Sequence, residues 1–276
     1  MIDNFLFASE RLGATYLLKA GKSCLIDGGT REGSKIMIET LENLNAFPPD
    51  YIILTHSHFD HTQGVPAFRE LAKLKGKEIN VFASQNAIPN LQDQSFNKFF
   101  QPDEELLNIQ DVKPLKEGDI VDLDGLILRI LEVPGHTNDQ IAVFDEKHKV
   151  LFPGDSIGLH IPPFLYFPHI MPPFYDKEAH YNSMEKMKQL NFQTIAIAHY
   201  GCIEGKEAQE YIPKLQIETE KWWLALEIAQ RENRLEDIRF VMDTISQETK
   251  LQKEIIERIS LSYFQWTVLG FRSATY

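Results

Sequence analysis

Residues 51–61 read Tyr-Ile-Ile-Leu-Thr-His-Ser-His-Phe-Asp-His, and no other stretch restricts the chain as strongly. Tyr51 to Leu54 form an apolar run without alternation, the pattern of a strand buried on both faces. Three of the nine histidines and an aspartate follow within six residues. Imidazole and carboxylate together suit borderline-soft divalent metals, and donors rooted at the end of a rigid strand are held in place. Side chains two apart in an extended segment project to the same side, so His56 and His58 can share one ion. Asp60 and His61 come as the chain turns and can face a second ion nearby. The fold must therefore bring a buried strand end to an edge where several donors can meet.

Three other places repeat this plan. Pro134-Gly135-His136-Thr137 follows an apolar run ending at Val133, Pro153-Gly154-Asp155-Ser156 follows one ending at Phe152, and His199-Tyr200-Gly201 follows one ending at Ala198. Each sets a His or Asp just past a buried strand, beside a glycine that lets backbone approach closely. The segments between alternate in character. Residues 14–19 and 23–27 read as a hairpin, 34–44 and 65–74 as helices, and 79–82 as a strand. A turn at Asp124-Gly125 leads into a strand over 126–130, 141–144 and 150–152 form a second hairpin, 178–190 is helical, and 194–198 is the last buried strand.

Two segments stand apart. Residues 158–175 hold five prolines and five Phe or Tyr residues, too much proline for a helix or a central strand, so an ordered surface loop is expected. From Lys206 onward strand signals vanish, and helical spacing runs through Tyr211, Leu215, Trp222 and Leu226, then 238–245, then 251–261. A boundary is placed there, giving a catalytic domain over 1–205 and an α-helical subdomain over 206–276. Trp222 and Trp223 cannot share one helix side, so one of them is expected to meet a partner subunit, a lid or the substrate.

The 276 residues, 43% hydrophobic and 25% charged, suffice for a large core and argue against disorder. With 28 Lys and Arg against 40 Asp and Glu, the net charge of -12 repels phosphate backbones and excludes nucleic acid as the expected partner. No run approaches the roughly 18–20 apolar residues of a membrane span. The first residues lack the basic and apolar regions of a signal peptide, and Cys24 and Cys202 are too few for a disulfide framework. The expectation is a cytoplasmic protein with a small-molecule substrate and no membrane partner.

Taken in order, His-x-His-x-Asp-His, Gly-His-Thr, Gly-Asp-Ser and a late histidine after a strand resemble the metallo-β-lactamase fold superfamily over roughly residues 12–203. Ile26-Asp27-Gly28-Gly29 is similar to the family's Asp-x-Gly element. The resemblance implies an α/β fold, the four-layer αββα sandwich, with a binuclear centre. His56, His58 and His136 would hold one ion, Asp60, His61 and His199 the other, and Asp155 would bridge them, with Asp60 and Asp155 at the chemistry. Zinc is the first expectation, with iron or manganese as alternatives. His58 stands where flavodiiron oxygen reductases carry a glutamate, which counts against that branch. Asp27 would position the ligand loop rather than bind metal.

Two such ions lower the pKa of a water they share from about 15.7 toward roughly 7, giving a nucleophile at neutral pH. Hydrolysis of an ester or thioester is the leading expectation, and the donor set looks like glyoxalase II and the lactonases. Ser57 and Ser156 read as spacers beside ligands, not as nucleophiles. Phe164, Tyr166, Phe167, Phe174 and Tyr175 are candidates to line an apolar substrate pocket, and Tyr166 or Tyr175 to donate to an oxyanion. His160, His169 and His180 match no ligand position and are candidate proton donors. Helical tails on this fold also occur in quinolone-signal response thioesterases, where they cover the site or mediate dimers, so a homodimer through the tail is a candidate partner. A di-iron oxidoreductase and a signalling protein acting through its tail are the rival readings.

Overall fold

The structure is a computed structural model and describes residues 1–276 except 5, 7–11, 101–104, 162–164, 200, 257–258 and 276. The first sheet runs in order through β1 (Ile2–Asp3), β2 (Ala14–Lys19), β3 (Ser23–Ile26), β4 (Tyr51–Ile53), β5 (Asn80–Ser84) and β6 (Val112–Leu115). From β3 to β6 the strands are parallel, joined by crossovers that include α1 (Ser34–Asn43), α2 (Phe59–Thr62), α3 (Val65–Leu74) and α4 (Ala87–Gln92). The second sheet contains β7 (Ile120–Asp122), β8 (Ile127–Glu132), β9 (Ile141–Asp145) and β10 (Val150–Phe152). Beyond the ribbon β11 (Leu159–Ile161) and β12 (Leu165–Phe167), it is completed by β13 (Thr194–Ile197) and β14 (Gly201–Glu204), in the order β14-β13-β10-β9-β8-β7.

Alternation along each strand produces the layers. Ile53 points inward with Tyr16, Cys24 and Ile26 to meet Leu128, Ile130, Val143 and Phe152 of the second sheet. Its neighbour Ile52 points outward with Leu25 and Val81, under Met37 and Leu41 of α1 and Phe68 of α3. On the far side Phe144, Leu151 and Ile195 are covered by Met184 and Met187 of α5 (Lys177–Lys188) and by Tyr211 and Leu215 of α6 (Gly205–Arg231). Helix, sheet, sheet, helix is the expected sandwich.

The last helices, α7 (Ile238–Thr249), α8 (Lys253–Ile256) and α9 (Leu261–Thr275), form a further cluster with the second half of α6. Trp222 and Trp223 are both buried within the chain, the first stacked on Phe264 and the second against Phe271, because α6 lies between the sandwich and α9. The described residues of the segment after Asp155 form no surface loop either. Leu159, Phe167, Ile170, Met171 and Tyr175 are buried in that same cluster, since the tail covers their apolar faces. Among the described residues its two strands form a ladder with each other, and His160 N–H of β11 also donates to His199 O at 2.9 Å. Among the described residues no helix is long and apolar enough to cross a membrane.

Candidate metal centre

Every expected donor leaves the same end of the sandwich. β4 delivers His56 and His58, and the single turn α2 carries Asp60 and His61. β8, β10 and β13 deliver His136, Asp155 and His199 from the second sheet. At this end the sheets are joined directly: Ile141 N–H donates to Thr55 O at 2.8 Å and Ala14 N–H to Ala198 O at 2.7 Å. Gly135 and Gly154 have positive φ, 134° and 56°, and a side chain at 135 would run into the His180 backbone, one at 154 into Thr55 and Gln140. Only glycine meets both demands.

The seven donors meet in two groups that share Asp155. His56 Nε2 and His136 Nε2 lie 3.0 and 3.1 Å from His58 Nδ1. Donors at about 2.05 Å from a tetrahedral zinc would stand roughly 3.3 Å apart, so these spacings approach the edges of such a ligand set. In the second group Asp60 Oδ2 is 3.6 Å from His61 Nε2 and 3.4 Å from His199 Nε2. Asp155 Oδ1 lies 3.4 Å from His61, and Oδ2 lies 3.8, 3.6 and 3.3 Å from His56, His136 and His199. His61 Nε2, His199 Nε2 and Asp155 Oδ1 are buried without a hydrogen-bond partner. Buried polar atoms left so are rare, and a shared cation is what these would satisfy. The residues fit a pair of divalent ions.

The groups behind the donors fix which nitrogen faces inward. His61 Nδ1–H donates to Asp27 Oδ2 at 2.8 Å, His136 Nδ1–H to His169 O at 3.0 Å, and His199 Nδ1–H to Leu12 O at 2.9 Å. Each leaves Nε2 with its lone pair toward the centre. Asp139 ties two ligand loops together, accepting from Ser57 Oγ and, at 2.6 Å, from Thr137 Oγ1. Asn97 adds a clasp, its amide donating to Ser57 O at 3.0 Å and its carbonyl accepting from Phe59 N–H at 3.1 Å. Asp139 and Asn97 carried no sequence signal beyond polarity.

Burial pushes His56 and His136 well below the ordinary imidazole value, and His58 down to about 4, so all three are neutral donors. Burial acts the same way on His61 and His199, but Asp155 and its neighbouring carboxylates outweigh it and raise both, His61 strongly. Burial opposes ionisation of Asp155, yet His199, His61 and His169 hold its carboxyl well below the usual range. The surplus of negative charge that draws protons here would be neutralised by bound cations.

The loop aromatics lie elsewhere than over the donors. Tyr166 packs on Tyr211, Phe167 on Trp222, and Tyr175 donates its hydroxyl to His180 Nδ1 at 3.0 Å. Phe164 lies outside the described residues. The ring beside His58 is instead Phe100, at 5.0 Å, with Phe96 at 6.1 Å. Behind them stand Trp266 of α9 against Phe100 and Phe174 against Phe96. His180 Nε2–H donates to Ser156 O at 2.7 Å, His160 sits against Tyr211, and of the three candidate proton donors His169 alone reaches the centre.

The chain belongs to the metallo-beta-lactamase superfamily, whose family model matches residues 9–199. An acyl-coenzyme A thioesterase, MBLAC2, of Gallus gallus is 30% identical over 116 residues, 40% of this chain and 42% of that protein. An atrochrysone carboxyl ACP thioesterase of Aspergillus fumigatus is 27% identical over 225 residues, 80% of this chain and 61% of that one. The chain thus spans about two-fifths to three-fifths of these curated relatives. An archaeal superfamily protein of Sulfolobus tokodaii superposes with a TM-score of 0.58 at 18% identity, covering 95% of this chain and 93% of that chain. A flavo di-iron protein of Thermotoga maritima gives 0.59 at 21% identity, covering 76% and 53%. These likenesses are of fold.

Proposed function

We propose that the protein is a binuclear metal-dependent hydrolase acting on a thioester, with oxygen esters of the same acyl groups as lesser substrates. The observation that carries this is the convergence of seven donors, several of them otherwise unpartnered, beside an aromatic wall. His56, His58 and His136 would hold one ion and Asp60, His61 and His199 the other, with Asp155 between them. Zinc is the metal we infer, because neutral imidazoles and carboxylates at near-tetrahedral spacing suit it, though the same donors accept iron. The bound ions would supply Lewis acidity toward a carbonyl and a water activated at neutral pH.

The chain's own residues do the rest. Asp27, His169 O and Leu12 O hold three imidazoles in the ligand tautomer, and Asp139 locks the two loops that carry His58 and His136. Phe96 and Phe100 present an apolar face beside His58, which would take the acyl group and exclude water from it. Residues 206–276 serve the 1–205 catalytic domain as a helical subdomain whose Trp266 backs that face. The thioesterase names of two relatives support the bond type, in keeping with a glyoxalase II-like donor set.

The test is a panel of acyl thioesters, aryl esters, lactones, a β-lactam and a phosphodiester, with metal-loaded wild type, Asp60→Ala and His136→Ala. Thioester turnover is expected to be fastest and to fall more than about a hundredfold in both variants, beyond the cost of losing a group behind a ligand. Full activity in both would sink the proposal. Iron in the purified protein with no hydrolysis of any substrate would favour the di-iron oxidoreductase.

A further inference from the structure

His169 is absent from the seven donors, yet it stands among them. It is 8% exposed, and its Nδ1 lies 3.1 Å from Asp155 Oδ2 and within 4.8 Å of the His199 donor atom. Distance alone would make the first contact a hydrogen bond, but its direction does not, and Nδ1 is left without a partner. An aligned bond would be expected if the imidazole served only to hold the carboxylate. Two donors facing one another across a short gap are instead the arrangement seen between His56, His58 and His136. The ring also lies 4.8 Å from His136 and 5.3 Å from His199.

The tail fixes residue 169 in this place. Tyr263 of α9 stacks on the imidazole at 17° and 5.9 Å, and its hydroxyl donates to Pro168 O at 2.9 Å. The carbonyl of His169 is itself the acceptor for His136 Nδ1–H. One residue therefore faces the centre with its side chain and braces a ligand with its backbone.

We propose that His169 is an additional metal ligand, joining His199 and Asp155 through Nδ1 at the second ion. The inference rests on the metal-centre reading and deepens it. His199 belongs to two groups, with Asp60 and His61 in one and Asp155 and His169 in the other, so an ion at His199 that drew on both would exceed the four donors of tetrahedral zinc. The C-terminal helix becomes part of the centre through Tyr263, which holds a ligand without touching the metal.

The experiment loads full-length wild type, His169→Gln, His169→Ala and Tyr263→Phe with cobalt(II) and counts hyperfine-shifted, solvent-exchangeable imidazole N–H resonances by proton NMR. Chelator competition gives the dissociation constants alongside. Wild type is expected to show six coordinated imidazoles rather than the five of the other donors. His169→Gln should lose one and weaken one of the two ions by roughly tenfold or more, with the other unchanged. Tyr263→Phe should keep the signal and weaken the affected ion less. Five imidazoles in wild type, or a folded His169→Gln with unchanged signals and affinities, would overturn the inference while leaving the seven-donor centre standing. Failure of wild type to bind cobalt would overturn the centre itself and this ligand with it. The wild-type count decides the matter even if both His169 variants unfold.

Discussion

Exchanging Asp27 for asparagine keeps the shape of the side chain but changes where one proton of the centre can sit. Asp27 Oδ1 accepts from Thr55 N–H at 2.7 Å and from its hydroxyl at 3.0 Å, and Oδ2 accepts from His61 Nδ1–H at 2.8 Å. Asparagine has the same shape and tolerates the left-handed φ of 67° at this position. Thr55 N–H can only donate, so the amide oxygen must take the Oδ1 place and the NH2 must face His61. The imidazole then has two choices. It can turn over its tautomer and carry its proton on Nε2, the atom needed by the metal, or keep Nδ1–H against another N–H. A buried donor without an acceptor costs about 1–3 kcal/mol. At about 1.4 kcal/mol per factor of ten, the ion at His61 should bind roughly ten- to a hundredfold more weakly. Loss of the charge-assisted bond to His61 should also lower the metal-free protein's stability by about 2 kcal/mol. Chelator competition with zinc, beside urea unfolding of the apoprotein, reads both effects. If Asp27→Asn binds both ions as tightly as wild type, the tautomer argument is wrong.

Two other outcomes are expected. His180, fully buried, is pushed down to about 4 mainly by desolvation, whereas in the unfolded chain it takes a proton near 6.5. Between those values the unfolded state binds more protons, so stability falls as pH drops through 6.5 toward 4, by about 3 kcal/mol from this group. Unfolding of wild type and His180→Gln at pH 7 and pH 4.5 should differ in slope accordingly, since glutamine offers Ser156 a donor and Tyr175 an acceptor without titrating; equal slopes would refute this. Trp222→Ala should cost about 3–5 kcal/mol in urea unfolding, as the indole is fully buried against Phe264 and Phe167. Trp222→Phe should cost much less, because the indole Nε1 has no hydrogen-bond partner to lose, and equal losses in the two variants would contradict that.

The centre was legible because its donors bunch where strands end. Ile52 and Ile53, both apolar, announced a strand covered on two sides, and His56 to His61 could only emerge at its open end. What escaped depends on contacts between distant segments. The 158–175 stretch looked like surface because its aromatic side chains have no partner in sequence; their partners are Trp222, Tyr263 and Phe264 of the tail. The spacing predicts a helix over 251–261, whereas among the described residues the structure has Lys253–Ile256 there and a long helix over Leu261–Thr275. That helix buries Tyr263, Phe264, Thr267, Val268, Gly270 and Phe271, so wide an apolar face that helical periodicity is blurred. The edge strand Gly201–Glu204 is too short and polar to announce itself. His169 reads in sequence as a candidate proton donor and not as a neighbour of Asp155, because the contacts that place it, Tyr263 of the tail among them, come from distant segments.

Asp155 faces donors from both sheets, which would give ions bound there a second role as rivets. The sandwich cannot open without parting His56 and His61 from His136 and His199, so unfolding must release whatever is bound between them. An ion present at a hundred times its dissociation constant would add about 2.7 kcal/mol to the folded state. A cell short of the metal would then lose the protein itself, through proteolysis of the opened chain, and not merely its turnover.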